Sequence, residues 1–378
     1  PYATIAAAQA ASSIVFLQPG NYIETFALVT GKTYFSYPGV VFTAGGIVNL
    51  STTLVGTKFL GFASFISSSD CIKLDDVVLT DVVLEFDRLE VTGSAYTLRI
   101  IAAAKSNVVI NGNSIYDPIS YNAQAIVLRG PLNGSLNIKE SITGALGVIG
   151  FGSASGGQDL QDFTVNCPKI IQMDTYGAAY PQYSQVIIAS GIEEGYKVTI
   201  NGDIYSDAIG TPGVNNGVVA SIYSASLGVL EINGNIYAGT QRAILLSTAC
   251  NIIMNGSIET THQAFEANAG QLLIKNSTII QGVANSITVS SKVWIYGSTI
   301  RSKLSTNIID HTSDTSTLVI RDTDAVGGAG EFVNTGGAAV AVGMTNVVSN
   351  LANDAAMTSL YTVLGFTQDA ALVAPEFT

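Results

Sequence analysis

The sequence predicts an all-β fold: a right-handed single-stranded parallel β-helix, a solenoid with an N-terminal capping helix and a small C-terminal cap or oligomerisation segment. Three observations predict it. A short apolar–polar phrase recurs along most of the chain, a second short strand of matching rhythm stands between its copies, and residues 213–373 contain no proline. A fixed internal repeat points to stacked units that bury only their neighbours. The missing prolines suit strands whose backbone N–H groups must all donate to the coil above or below.

The opening residues 1–11 read as a short helix, with Ile5, Ala8 and Ala11 on one face and alanine favouring helix throughout. Residues 14–17 follow as a strand closed by Gln18, Pro19, Gly20 and Asn21, then residues 33–37, the corner Pro38-Gly39, and residues 40–43. The repeat then becomes explicit. Residues 108–116 read VVINGNSIY, 198–205 VTINGDIY, 230–237 LEINGNIY and 252–258 IIMNGSI. Degenerate copies stand at 136–142, 163–170, 272–279, 293–300 and 318–324. Their apolar anchors are read as Ile110, Ile138, Val165, Ile200, Ile232, Met254, Ile274, Ile295 and Ile320, spaced about 20 to 35 residues apart, a solenoid period. Between them, residues 125–128, 185–188, 218–222, 243–246, 264–267, 286–289 and 307–309 supply the second strand.

Asn-Gly between apolar alternations is also the strongest signal for an antiparallel hairpin. Against that reading, the pairs at Asn111, Asn201, Asn233 and Asn255 hold one place in each copy, and later copies put Lys275-Asn276, Tyr296-Gly297 and Arg321-Asp322 there. A tight hairpin turn disfavours Tyr or Arg at positive φ. Stacked coils would instead align Asn201, Asn233 and Asn255 into a side-chain ladder. The expected division is a capping helix and first coil at 1–45, a β-helix at 46–325 and a cap or oligomerisation segment at 326–378, where Met357, Leu360, Tyr361 and Leu364 have helical spacing before Gly365.

Composition excludes several classes. Apolar residues make up 47% and charged residues 12%, which is not the balance of a disordered chain. A formal charge of -12 with only 16 Lys plus Arg argues against nucleic acid and anionic membrane surfaces, and no apolar run is long enough to span a bilayer. Cys71, Cys167 and Cys250 are widely spaced, form no CxxC pair and read as small buried hydrophobes. Any signal or anchor is expected ahead of Pro1.

Residues 2–11 followed by Ile14-Val15-Phe16-Leu17 and Pro19-Gly20-Asn21-Tyr22 resemble the opening of pectin-lyase-like right-handed parallel β-helix proteins, in which a capping helix leads into a strand and a Pro-Gly-x-Tyr corner. The motif spans about 40 residues, and the coil repeats extend the likeness to about residue 325. The resemblance implies a superfamily of polysaccharide lyases and hydrolases, autotransporter passengers, and trimeric phage tailspikes and tail fibres, of which the phage proteins are the most similar.

Catalysis on this fold by glycoside hydrolysis needs two carboxylates facing one cleft. The candidates are Asp75 with Asp76, Glu85 with Asp87, Asp159 with Asp162, Glu193 with Glu194, Asp203 with Asp207 and Asp322 with Asp324. Alternation puts Asp75 and Asp76 on opposite faces of a strand, whereas Glu85 and Asp87 share one, as do Asp322 and Asp324. The pectinase-like hydrolases carry Asn-Thr-Asp, Asp-Asp, His-Gly and Arg-Ile-Lys signatures, of which only Asp75-Asp76 is present. His262 and His311 lack a nucleophile elbow, and His311, beside Asp310, Thr312 and Asp314, reads as a loop histidine. Three residues past each anchor, Asn113, Asp203, Asn235, Ser257, Ser277, Ser298 and Thr323 form a polar stripe suited to sugar hydroxyls, with Tyr116, Tyr205 and Tyr237 nearby for stacking.

The expectation is a non-catalytic structural and receptor-binding spike or fibre domain of a phage virion, extracellular and homotrimeric, contacting a host-surface polysaccharide or protein and other virion proteins. A polysaccharide depolymerase on the same fold, and a bacterial surface adhesin or filament subunit, are the alternatives. No catalytic residue, cofactor or metal ligand is assigned.

Overall fold

A computed structural model describes residues 3–93, 95–119, 124–145, 147–152, 160–173, 185–206, 217–221, 228–282, 287–302, 308–311, 316–326, 333–334 and 341–349. The expected C-terminal helix around Met357, together with Pro1, Tyr2, Asp159, Asp207, Thr312 and Asp314, lies outside the described residues.

The molecule is a parallel β-solenoid. Its described strands form a 21-stranded sheet and a 13-stranded sheet, the second counting Thr53–Val55, which branches off the main path to pair with Ile72–Thr80. Every pairing between named strands is parallel, from Ile14–Leu17 on Thr33–Ser36 to Thr317–Val326 on Ala341–Ser349. The hairpin reading of the Asn-Gly pairs is thereby excluded: Asn201 pairs with Asn233 of the next coil, 32 residues on, not with its own neighbours.

The sequence explains the start of the solenoid. Thr4 caps the helix Ile5–Ala11 by accepting from the Ala7 N–H at 3.1 Å. The helix buries Ile5 and Gln9, with Ala8 packed against the core, while Ala11 is exposed. Gln9, not Ala11, shares the inner face because it satisfies the open end of the first coils: its amide donates to the Ala27 carbonyl at 2.7 Å and the Tyr34 hydroxyl at 2.9 Å.

Inside, residues alternate in and out with period two. The first coils stack aromatics, with Phe42 on Phe65 at 4.6 Å and Phe59 on Phe65 at 5.8 Å. Later coils stack one aliphatic column, Leu84, Ile110, Leu136, Val165, Ile200, Ile232, Met254, Ile274, Ile295 and Ile320, each fully buried. Burying each such side chain stabilises by roughly 1.5–3 kcal/mol. Leu136 replaces Ile138 as the anchor of its coil. Both point inward, so alternation alone does not choose between them. The register shift between Asn137 and Ile142 marks the extra residues that displace Ile138.

The ladder runs on past Ala325. Ala341–Ser349 pairs residue for residue with Thr317–Val326, placing Met344 beside Ile320. Pro168 interrupts a central strand without breaking it, because the register shift between Asn166 and Lys169 removes its position from the ladder.

Candidate functional site

One outward column of the larger sheet is a continuous chain of side-chain hydrogen bonds. The Asn255 amide donates to Asn233 at 2.9 Å, Asn233 to Asn201 at 2.9 Å, Asn201 to Asn166 at 2.7 Å, Asn166 to Asn137 at 2.7 Å and Asn137 to Asn111 at 2.9 Å. Asn111 then donates to Glu85 Oε1 at 3.4 Å, and Glu85 Oε2 accepts from the Gly61 N–H at 3.2 Å. The chain has a direction. Every amide nitrogen points toward the N-terminal end and every amide oxygen toward the C-terminal end. Its first member therefore has to be an acceptor, and a carboxylate is acceptor-only. At the other end the next coil substitutes Lys275, a donor, directly after its anchor Ile274.

Asn111, Asn166, Asn201 and Asn233 each spend one N–H and one oxygen lone pair on the ladder, leaving one donor and one acceptor, whereas Asn137 gives its second N–H to Ser135 Oγ at 3.1 Å and keeps only an acceptor. These free groups recur at the rung spacing of about 4.8 Å. They line a groove of about 650 Å³ that runs from Phe62, which is 54% exposed, past Glu85, Asn137 and Lys139 to Pro168 and Asn201. Rigid, regularly spaced amide donors and acceptors, flanked by Glu85 and Lys139, fit hydroxyl-rich ligands, whose groups both donate and accept.

The sequence located Asn111, Asn201, Asn233 and Asn255 but not Asn137 and Asn166, which lack the following glycine. Their signal is an asparagine directly after the anchors Leu136 and Val165. For Asn137 it is readable only once Leu136 is the anchor, whereas Asn166 already follows the expected anchor Val165.

The acidic pairs have structural partners. Glu85 heads the ladder, and Asp87 accepts from Asn113 at 2.7 Å and from Ser64 at 3.1 Å. Both face the groove side of their strand, as expected. Asp75 and Asp76 do not lie on opposite faces: Asp76 adopts φ 57°, which breaks the alternation and leaves both outside the core, Asp75 on Arg99 at 2.9 Å and Asp76 accepting from Ser51 at 2.8 Å. Asp162 accepts from the Lys197 N–H at 3.0 Å, and Glu193 accepts from Gln161 at 2.9 Å. Asp322 turns a corner at φ 48°, and Asp324 pairs with Thr299.

The polar stripe divides in two. Asp203, Asn235 and Ser257 form a partly exposed ladder, in which the Asn235 amide donates to Asp203 at 3.0 Å and Asn235 Oδ1 accepts from the Ser257 N–H at 2.9 Å. Ser277, Ser298 and Thr323 are buried instead, each hydroxyl donating to the carbonyl two residues earlier. The corner explains the split. In these coils the residue just before the hydroxyl takes positive φ, at Asn276, Gly297 and Asp322, types that tolerate the left-handed region. Tyr205 and Tyr237 stack at 4.7 Å beside a second depression of about 300 Å³ that includes Glu259 and Ile280.

His311 lies between strands, as expected of a loop histidine, but is fully buried, with Ser316 Oγ 3.3 Å from Nδ1. Burial holds the His262 imidazole below its usual pKa, the Arg242 charge adds to this, and Glu266 opposes it. All three cysteines are free and buried. Burial pushes the Cys71 thiol up to about 12 and Cys167 up to about 11. No group of three or more His, Cys, Asp or Glu with metal-holding geometry occurs among the described residues, and no helix there is long and apolar enough to cross a membrane.

No protein-family profile matches the chain, and neither does any curated protein or any solved structure.

Proposed function

We propose that the chain is a β-helical recognition module of the spike or fibre type, which holds a host-surface glycan along the asparagine groove without cleaving it. The observation that carries this reading is the unbroken amide ladder from Glu85 to Asn255, which turns one lateral face into a fixed array of paired donors and acceptors. Phe62, half exposed at one end of the groove, offers an apolar surface for the face of a sugar ring. Hydrolysis would need one carboxyl of a facing pair to give up a proton while the other attacks or activates water. Glu85 and Asp87, the pair nearest the groove, each already accept two hydrogen bonds from neighbouring coils, which ties both side chains into the solenoid wall. The wider setting of the proposal is an extracellular homotrimer on a phage virion.

The test is binding of the purified chain to an array of bacterial surface polysaccharides, with light scattering for oligomeric state. Binding that falls at least tenfold in Asn137→Ala and persists in Glu85→Gln, with no oligosaccharide released, is the expected result. Release of oligosaccharide that stops in Glu85→Gln would make the protein a depolymerase, and a stable monomer at micromolar concentration would remove the trimer.

A further inference from the structure

The smaller sheet carries two arginines side by side with unspent donors. Arg99 stands on Leu98–Ala102 and Arg129 on Gln124–Arg129, adjacent strands in which Ile101 pairs with Arg129 and Arg99 with Val127. Both side chains leave the same outward surface, with Ile101, only 7% exposed, as the floor between Asp75 and Arg129. Arg99 is fixed from two directions: one terminal nitrogen binds Asp75 at 2.9 Å, and its guanidinium lies 4.9 Å from the centre of the Tyr96 ring. Its Nε is buried and has no hydrogen-bond partner. Arg129 is less satisfied still. Its Nε is also buried without a partner, and no carboxylate lies within ion-pair range of it among the described residues.

A half-buried guanidinium without an acceptor is costly, and a second cation beside it makes the cost larger. Burial lowers the Arg129 pKa, and the nearby Arg99 charge opposes its protonated form further, with Tyr96 and Asp75 pulling the other way. The local count is two arginines against Asp75, since the neighbouring Lys73 is matched by Asp70 at 3.3 Å. In a chain of net charge -12, two adjacent arginines with unspent N–H groups on one outward surface call for their own explanation. Arginine forks recognise planar oxyanions through paired N–H···O bonds, and carboxylates fit them best.

We propose that Arg129 and Arg99 form a carboxylate-binding site, floored by Ile101 and bordered by Tyr96, that takes the acid group of an acidic sugar such as a uronate. Arg129 offers its two terminal nitrogens end-on to the two carboxylate oxygens while its Nε stays buried behind them, Arg99 contributes the terminal donors that Asp75 leaves unused, and Asp75 is the competing internal acceptor. The site stands on the other sheet from the asparagine groove and does not depend on the groove's ligand, so either proposal fails without the other.

The test is a titration of the whole chain with D-glucuronate at constant ionic strength, followed through the arginine Nε–H resonances by NMR. The Arg129 signal, assigned by its loss in Arg129→Gln, shifts saturably with millimolar glucuronate, while D-glucose and an equal increment of chloride leave it in place. Arg242, whose Nε already donates to Gln263 at 2.8 Å and which pairs with Glu266 at 2.7 Å, is the internal control and does not move. Asp75→Asn removes the competing acceptor and tightens glucuronate binding two- to tenfold, a gain that damage to the fold would not produce. A flat titration, an equal response to chloride, or weaker binding in Asp75→Asn would overturn the proposal.

Discussion

Asn201 donates to Asn166 at 2.7 Å although 35 residues separate them, and Asn255 donates to Asn233 at 2.9 Å across only 22. Coils of very different length thus place the same side chain at the same height. The difference in coil length falls between strands and leaves the register unchanged, because slipping by one residue would turn every buried anchor outward.

Breaking the ladder in its middle leaves two polar groups facing each other without their partner. Asn166→Ala strands the Asn201 amide and the Asn137 oxygen and costs about 1–3 kcal/mol. Its chemical-denaturation midpoint falls accordingly, while that of Lys105→Ala, an exposed loop substitution, stays within about 0.5 kcal/mol of the parent.

The direction of the ladder makes its first residue specific. Glu85→Gln keeps an oxygen facing Asn111 and leaves the midpoint within about 0.5 kcal/mol of the parent. Glu85→Lys sets a cation against the Asn111 amide donors and against the Gly61 N–H, and it lowers stability by about 1–3 kcal/mol. Equal effects of the two substitutions in the same denaturation assay would mean that the ladder has no direction.

Much of this was legible before any coordinates. The copies at Val198, Leu230 and Ile252 gave parallel coils because their asparagines recur at one place while the residues after them vary. The later corners were legible in type but not in consequence: positive φ falls on Asn276, Gly297 and Asp322, and that local geometry turns Ser277, Ser298 and Thr323 inward. The coil at Ala341–Ser349 was hidden by a glycine-rich approach, although Met344 sits one ordinary period beyond Ile320. Nothing in the sequence pointed to the Arg99–Arg129 pair, since strands 24 or more residues apart bring them together only through the smaller sheet.

Gly202 approaches the Cys167 carbonyl of the coil below so closely that a Cβ would overlap it, and its φ of 147° disfavours any side chain. Gly202→Ala costs about 3 kcal/mol or more, because backbone lies on the other side of the contact and does not yield. A melting-temperature loss no greater than that of an exposed substitution would mean that the two coils are not in contact there.

His262 gives the pH dependence a sign. Its pKa in the folded chain lies below the ordinary 6.5, so the unfolded chain binds the proton more readily. The histidine's contribution is therefore complete above pH 6.5 and is lost as pH falls from 6.5 toward the lower folded value. His262→Gln flattens the fall in melting temperature over that interval, and a steeper fall in the variant would show that burial does not hold the ring neutral.

In-register parallel stacking is tested most directly by a distance between labels on one column. Lys58 and Thr199 are joined through Val83, Val109, Ser135 and Thr164, five rungs in all, which corresponds to about 24 Å between their Cα atoms. Spin labels on Lys58→Cys and Thr199→Cys read by pulsed electron paramagnetic resonance should give one narrow distribution near that value, with the buried native thiols unlabelled. A broad distribution, or a maximum beyond about 40 Å, is incompatible with rungs spaced at 4.8 Å and would contradict the parallel solenoid.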